Sequence, residues 1–308
     1  MKSPIYLLFA MICISCLSCK ETTTQKDKPV LKFGDSLRYR IDAIAQTAKG
    51  KVGVAIMNLE TGDTLSYNGH MHLPMQSTFK FPIAIAVLQK VDSNKLSLKQ
   101  VVNITEKEMD EDTWSPLQDK YPDGAVNIAL NDLLSYMISQ SDNIACDEAL
   151  KLLGGPSFAD SCIHQLSING MAIKASEAAM HRSWDVQYTN WCEPWEMLRL
   201  LDLFYKGKTL SKASTELLMK MMLATSTGPN RIRGLLPPNT IVANKTGTGG
   251  TNFGVMTSAT NDLGIITLPD GQHLAIVVFV SDFTTGVKNG ELVIAKIARA
   301  AYDEAVKK

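Results

Sequence analysis

The sequence predicts an α+β fold in which both chain ends contribute strands to one sheet and an all-helical subdomain is inserted between them. Two observations carry this. Strand-type runs occur near residues 52–67 and again after Thr225. Between Phe79 and about Met222 the apolar residues instead recur at three- and four-residue spacing, with no convincing strand run among them. The boundaries that follow are 33–70 with 225–308 for the α/β part and 71–224 for the helical part.

In chain order, Val52–Met57 reads as a strand, Gly62-Asp63 as a turn and Leu65–Tyr67 as the returning strand of a hairpin. Helical spacing covers Phe79–Val91, Leu130–Ser139, Asn143–Leu153, Pro194–Tyr205 and Lys212–Leu223. Pro82 lacks the N–H that would reach the Thr78 carbonyl, so a tight first turn or a slight kink is expected there. Strands return at Thr240–Ala243, Val255–Thr260, Gly264–Leu268 and Leu274–Val280, separated by turn residues, and an amphipathic helix over Glu291–Ala301 closes the chain.

With 308 residues and 45% apolar composition the chain can build a substantial core. Its 31 Lys and Arg balance 31 Asp and Glu, so no global field draws nucleic acid or an anionic membrane, and a small-molecule substrate is the better-supported class. The five histidines, His70, His72, His164, His181 and His273, lack a metal-ligand spacing, and no cofactor is implied.

Residues 1–18 combine Lys2, an apolar run from Ile5 to Leu17 and small residues before Cys19, the pattern of a secretory signal too short to span a bilayer permanently. Leu17-Ser18-Cys19 resembles a lipoprotein processing box that would make Cys19 the lipid anchor, although Cys16 is atypical at its outermost position. Lipidation and simple cleavage both stay open. Either way export to the periplasm is expected, with residues 19–32 as a polar tether and the protein a monomer. Cys146, Cys162 and Cys192, the three cysteines of the body, fit buried thiols better than a disulfide framework or a zinc site, though one bridge stays open.

Three short strings carry the chemistry. In Ser77-Thr78-Phe79-Lys80 the hydroxyl and the amine lie three residues apart, on one face if a helix begins there, so the amine can act on a serine that is otherwise a poor nucleophile. Ser141-Asp142-Asn143 lies between two helical patterns. It suits a loop presenting Ser141 as a proton shuttle and Asn143 as an amide clamp, but it equally suits a helix N-cap. Lys245-Thr246-Gly247 ends a strand, where lysine can bind a substrate carboxylate and glycine lets the edge approach a ligand closely.

In this order the three strings resemble the motif set shared by class A β-lactamases and penicillin-binding proteins. The mature chain is similar to the class A enzymes over essentially its whole length. That resemblance implies a five-stranded antiparallel sheet with flanking helices beside the helical subdomain, the serine lying between them. It also implies Ser77 as nucleophile, Lys80 as its amine and Ser141 as the proton relay to the leaving nitrogen. Lys245, Thr246 and Thr248 would hold the substrate carboxylate, and the backbone N–H groups of Ser77 and Thr248 would form the oxyanion hole.

Glu177, 36 residues after Ser141, stands where the class carries the glutamate that activates the deacylating water. Its surroundings depart from the commoner pattern: Ala178 replaces a proline, His181 an asparagine, and Ala175 and Asn190 replace an arginine–aspartate pair. These departures look like the extended-spectrum, cephalosporin-hydrolysing branch, with a remodelled loop and a roomier site. No arginine lies between Lys245 and Asp282, so Arg231 is the candidate for the carboxylate-binding arginine, and Trp114 fits either an aromatic gate or a loop-stabilising indole. The resemblance leaves open whether Lys80 or Glu177 is the acylation base. The competing readings are a D-alanyl-D-alanine carboxypeptidase, which lacks the deacylating glutamate, and a sensor domain that stays acylated.

Overall fold

The computed structural model describes residues 33–109, 112–122 and 124–307, together with residue 1. Apart from residue 1, the signal at 1–18, the tether at 19–32 and the Cys19 anchor lie outside the described residues. The first half contains α1 (Asp35–Gln46), β1 (Lys51–Asn58), β2 (Thr64–Tyr67), β3 (Leu73–Pro74), a 3-10 turn over Gln76–Phe79, α2 (Lys80–Asp92), β4 (Val101–Ile104), α3 (Glu106–Met109), α4 (Pro116–Lys120), β5 (Val126–Ala129), α5 (Leu130–Ser139) and α6 (Asn143–Leu153). There follow α7 (Pro156–His164), β6 (Met171–Ala172), α8 (Glu177–Arg182), β7 (Trp191–Cys192), α9 (Pro194–Tyr205), α10 (Lys212–Leu223), β8 (Val242–Thr248), β9 (Thr251–Asn252), β10 (Met256–Thr267), β11 (His273–Phe283) and α11 (Val287–Ala305).

The main sheet is antiparallel in the order β2-β1-β11-β10-β8, with the two-residue β9 added to β10. Both chain ends build it, as expected. Along β11 the side chains alternate between two cores: Val277 and Phe279 join the helical layer with Leu198 and Phe204 of α9, while Ile276, Val278 and Val280 pack with Ile41 of α1 and Ile294 and Ile297 of α11. A strand buried on both faces reads as one apolar run, which β11 is. Helix α2 is buried from Lys80 to Leu88, so it is the central helix of its layer rather than an amphipathic one.

Several expectations are corrected. Val255–Thr260 and Gly264–Leu268 are not two strands but parts of the continuous β10, because Asn261 and Asp262, which resemble turn residues, are buried and hydrogen-bonded in mid-strand. The helical middle does contain strands, in the pair β4-β5 and the small sheet β3-β7-β6. Helix α11 starts four residues earlier than expected, and α1 lies where no element is expected. The tight turn expected near Pro82 is the 3-10 turn immediately before α2. Cys146, Cys162 and Cys192 are buried free thiols, which closes the question of a bridge among them.

Candidate active site

The 3-10 turn followed by α2 places Ser77 and Lys80 on one side of the chain, and Lys80 Nζ donates to Ser77 Oγ at 3.1 Å. Lys80 is fully buried, and its Nζ also reaches the Ser141 carbonyl (2.7 Å), Asn143 Oδ1 (2.6 Å) and Glu177 Oε1 (2.8 Å). Ser77 Oγ itself donates to Glu177 Oε1 at 3.2 Å. The three predicted residues thus form a closed triangle, with both candidate bases within reach of one hydroxyl.

The second string provides a helix N-cap, and it also brings Ser141 beside two lysines. Asp142 is the N-cap of α6, its Oδ1 accepting from the Ala145 N–H, while Oδ2 ties in Ser115 and the Leu117 N–H. Immediately before it, Ser141 takes φ +61°, a left-handed conformation unfavourable for a side chain with a Cβ. That conformation delivers the Ser141 hydroxyl to Lys245 Nζ, 2.8 Å away, and its carbonyl to Lys80. An ammonium only donates, so Ser141 Oγ accepts from Lys245 and its own hydrogen is directed elsewhere. Burial, reinforced by the charge of Lys80, pushes the Lys245 ammonium well below its usual range.

Strand β8 is the sheet edge, and Gly249 N–H bonds the Ala259 carbonyl, so by antiparallel alternation the Thr248 N–H points off that edge. A Cβ on Gly247 would lie 2.6 Å from the Met75 carbonyl and 3.0 Å from the Thr78 nitrogen. Glycine therefore lets the edge close on the nucleophile's turn. Thr246 Oγ1 pairs with Thr227 Oγ1 at 2.6 Å. Arg231 is only 4% exposed: Nη1 donates to the Gly247 and Asn261 carbonyls, and Nη2 donates to Thr248 Oγ1 at 2.6 Å. The guanidinium's Nη atoms are thus engaged by two backbone carbonyls and the Thr248 hydroxyl. The Trp114 ring is 60% exposed while its Nε1 holds the Gln140 carbonyl and its own carbonyl accepts from the Asn143 N–H, so the indole braces the Ser141 loop.

Two features of the Glu177 loop have no signature in the sequence. First, Asn190 does the work of the missing ion pair. Fully buried, its Oδ1 accepts from the Lys174 and Ala175 N–H groups and its Nδ2 donates to the Ala175 carbonyl. Asn190→Ala would strand two backbone donors, and we expect a stability loss of roughly 2 to 4 kcal/mol, measured by thermal unfolding. Second, Asp147 of α6 receives the Glu177 and Ala178 N–H groups at 2.7 and 2.9 Å, capping α8 from another helix. A carboxylate inside one helix gives no local signal that it caps another.

Burial pushes the Asp147 carboxyl up to about 6, against the two hydrogen bonds that favour its charged form. The folded state therefore holds this proton more tightly than the unfolded chain does. Its contribution favours folding below the ordinary carboxylate range and is lost as pH rises through about 6. Asp147→Asn should thus flatten the fall in melting temperature between about pH 4 and pH 7, and an unchanged slope would contradict the assignment.

Known proteins place this arrangement. A family model described as the β-lactamase enzyme family matches residues 36–305. The chain belongs to that family. It is 42% identical to the β-lactamase VEB-1 of Pseudomonas aeruginosa over 271 residues, covering 87% of this chain and 90% of the other. To the extended-spectrum β-lactamase PER-1 of the same organism it is 40% identical, covering 88% of each. The crystal structure of a β-lactamase from Chitinophaga pinensis DSM 2588 matches with TM-score 0.86 and 52% identity, covering 88% of this chain and 99% of that one. The enzyme is a class A serine β-lactamase.

Proposed function

We propose that the enzyme opens the β-lactam amide through an acyl-enzyme on Ser77, that Glu177 activates the water that releases it, and that oxyimino-cephalosporins are among its substrates. The convergence of Lys80 Nζ and Glu177 Oε1 on Ser77 Oγ, at 3.1 and 3.2 Å, carries this reading. Ser77 Oγ attacks the lactam carbonyl carbon and passes its proton to that pair of bases. The oxyanion that forms is met by the N–H groups of Ser77 and Thr248. As the C–N bond breaks, the Ser141 hydroxyl gives its proton to the ring nitrogen and takes back, through Lys80, the proton that Ser77 released. Water then attacks the ester carbonyl, gives its proton to Glu177, and Ser77 leaves with a proton restored. Lys245, Thr246 and Thr248 hold the substrate carboxylate, and Asn143 grips the side-chain amide.

A cavity of about 250 Å³ lies beside Glu177, bounded by Gln76, His181, Trp184 and Gly250, where a substrate side chain could extend. Gln76, in a left-handed conformation, reaches Gln187 across it at 2.7 Å and ties the nucleophile's turn to the Glu177 loop. The extended-spectrum description attached to PER-1 agrees with cephalosporin breadth. The same reading has the leader at 1–18 exporting the enzyme to the periplasm, where it confers β-lactam resistance.

Steady-state hydrolysis of a penicillin, an oxyimino-cephalosporin and a carbapenem by the purified mature enzyme tests this. Continuous turnover of the first two is expected. A single stoichiometric burst would favour the carboxypeptidase or sensor reading.

A further inference from the structure

An oxyanion hole built from the Ser77 and Thr248 N–H groups takes its two donors from separate parts of the chain, the 3-10 turn and the edge of β8, and needs them at one fixed spacing. A single buried side chain joins those parts. Asn261 of β10 is fully buried and pairs directly with Gly247 of β8, so its backbone is in register with the strand that carries Thr248. Its side chain leaves β10 on the face where Gly247 presents none. There Nδ2 donates to the Pro74 carbonyl at 2.7 Å and to the Met75 carbonyl at 3.1 Å, while Oδ1 accepts from the Val280 N–H at 3.1 Å. These partners fix which end of the amide is which, because a flipped amide would set its oxygen against two carbonyls.

The Met75 carbonyl is also the first acceptor of the turn that carries the nucleophile: Thr78 Oγ1 donates to it at 2.6 Å and the Thr78 N–H at 3.3 Å. Between Met75 and Ser77 stands Gln76 at φ +49°, a conformation that a residue with a Cβ keeps only when its surroundings hold it there. The carbonyls on its N-terminal side are the two that Asn261 holds.

We propose that Asn261 is a positioning residue for acylation, clamping the Pro74–Met75 segment to β10 and so setting the spacing of the Ser77 and Thr248 N–H groups. The inference rests on reading those two groups as the oxyanion hole. The missing Cβ of Gly247 lets the turn and the strand approach, since a Cβ there would lie 2.6 Å from the same Met75 carbonyl, and Asn261 keeps them from moving apart. A displacement of about 1 Å in one donor costs on the order of a hundredfold in rate.

The test compares Asn261→Ala and Asn261→Asp with the unmodified mature enzyme. The readouts are the saturating acylation rate constant and the half-saturating concentration of a fluorescent penicillin, the inhibition constant of a boronic acid that bonds to a serine hydroxyl, and the melting temperature. Asn261→Ala should lower the acylation rate constant by about a hundredfold, the scale of losing one oxyanion donor, and weaken the boronic acid, with the half-saturating concentration within about twofold. Asn261→Asp has the same shape and keeps an acceptor for Val280, but in either protonation state it has at most one donor for two carbonyls. It should lose at least about tenfold in the same rate constant, and it carries the test if Asn261→Ala does not fold. A folded variant with an unchanged acylation rate constant, whatever its melting temperature, would overturn the proposal, as would a loss confined to the half-saturating concentration. A crystal structure of the unmodified enzyme with the boronic acid checks the underlying reading by itself: a boronate oxygen between the two N–H groups is expected. An oxygen placed elsewhere would overturn that reading, and the proposal with it, independently of the variants.

Discussion

Ser77→Ala is expected to eliminate both acylation and turnover, with a loss in kcat of at least roughly 10⁴. Among the described residues Ser77 is the serine whose Oγ meets a buried lysine amine and a buried carboxylate together, at 3.1 and 3.2 Å. Ser141 Oγ also lies beside a lysine, Lys245, at 2.8 Å, but no carboxylate meets it there as Glu177 meets Ser77. Alanine removes the atom that forms the acyl bond and leaves Lys80 held by Ser141, Asn143 and Glu177, so the site should keep its shape. Labelling by a fluorescent penicillin checks this directly: unmodified protein should take up one label and the variant none. Normal labelling of the variant would sink the nucleophile assignment.

The second large effect is expected from Glu177→Ala, which should still acylate but stall before releasing product. Loss of a general base from the second half-reaction should slow deacylation by roughly 10² to 10⁴. Lys80 keeps its bonds to Ser77, Ser141 and Asn143, so a base remains for the first half-reaction. Removing the carboxylate also leaves Lys80 Nζ without its 2.8 Å partner, so Glu177→Gln, which preserves the side chain's volume, serves as the control for that change. Stopped-flow kinetics with a chromogenic cephalosporin should show a burst near one equivalent followed by a slow phase. A slow acylation phase with no burst would make Glu177 the base of both steps.

How much of the fold and site is legible in the sequence follows from what each feature depends on. The three strings are local, and their conjunction, rather than any one of them, singles out Ser77, Lys80, Ser141 and Lys245, which the structure brings together. The β11 run is legible because burial on both faces leaves only apolar residues. Strand β10 is not, because Asn261 and Asp262 look like a turn. Their polarity instead serves long-range partners: Asn261 bonds the Pro74 and Met75 carbonyls before the nucleophile, and Asp262 bonds Asn244 beside Lys245. Helix α1 is easily overlooked although Leu37, Ile41 and Ala45 recur every four residues, because the polar segment that precedes it masks its start. The cap that Asp147 places on the Glu177 helix and the amide of Asn190 that replaces an ion pair join positions 15 to 31 residues apart. No local pattern encodes such contacts.

The central claim is that Ser77 carries the acyl group and Glu177 removes it. Time-resolved intact-mass spectrometry of Glu177→Ala mixed with an oxyimino-cephalosporin, followed by peptide mapping, tests both halves at once. The account predicts a covalent adduct that accumulates to one per molecule, persists far longer than in the unmodified enzyme, and maps to Ser77. Turnover at the unmodified rate with no adduct, or an adduct on any other residue, would contradict it.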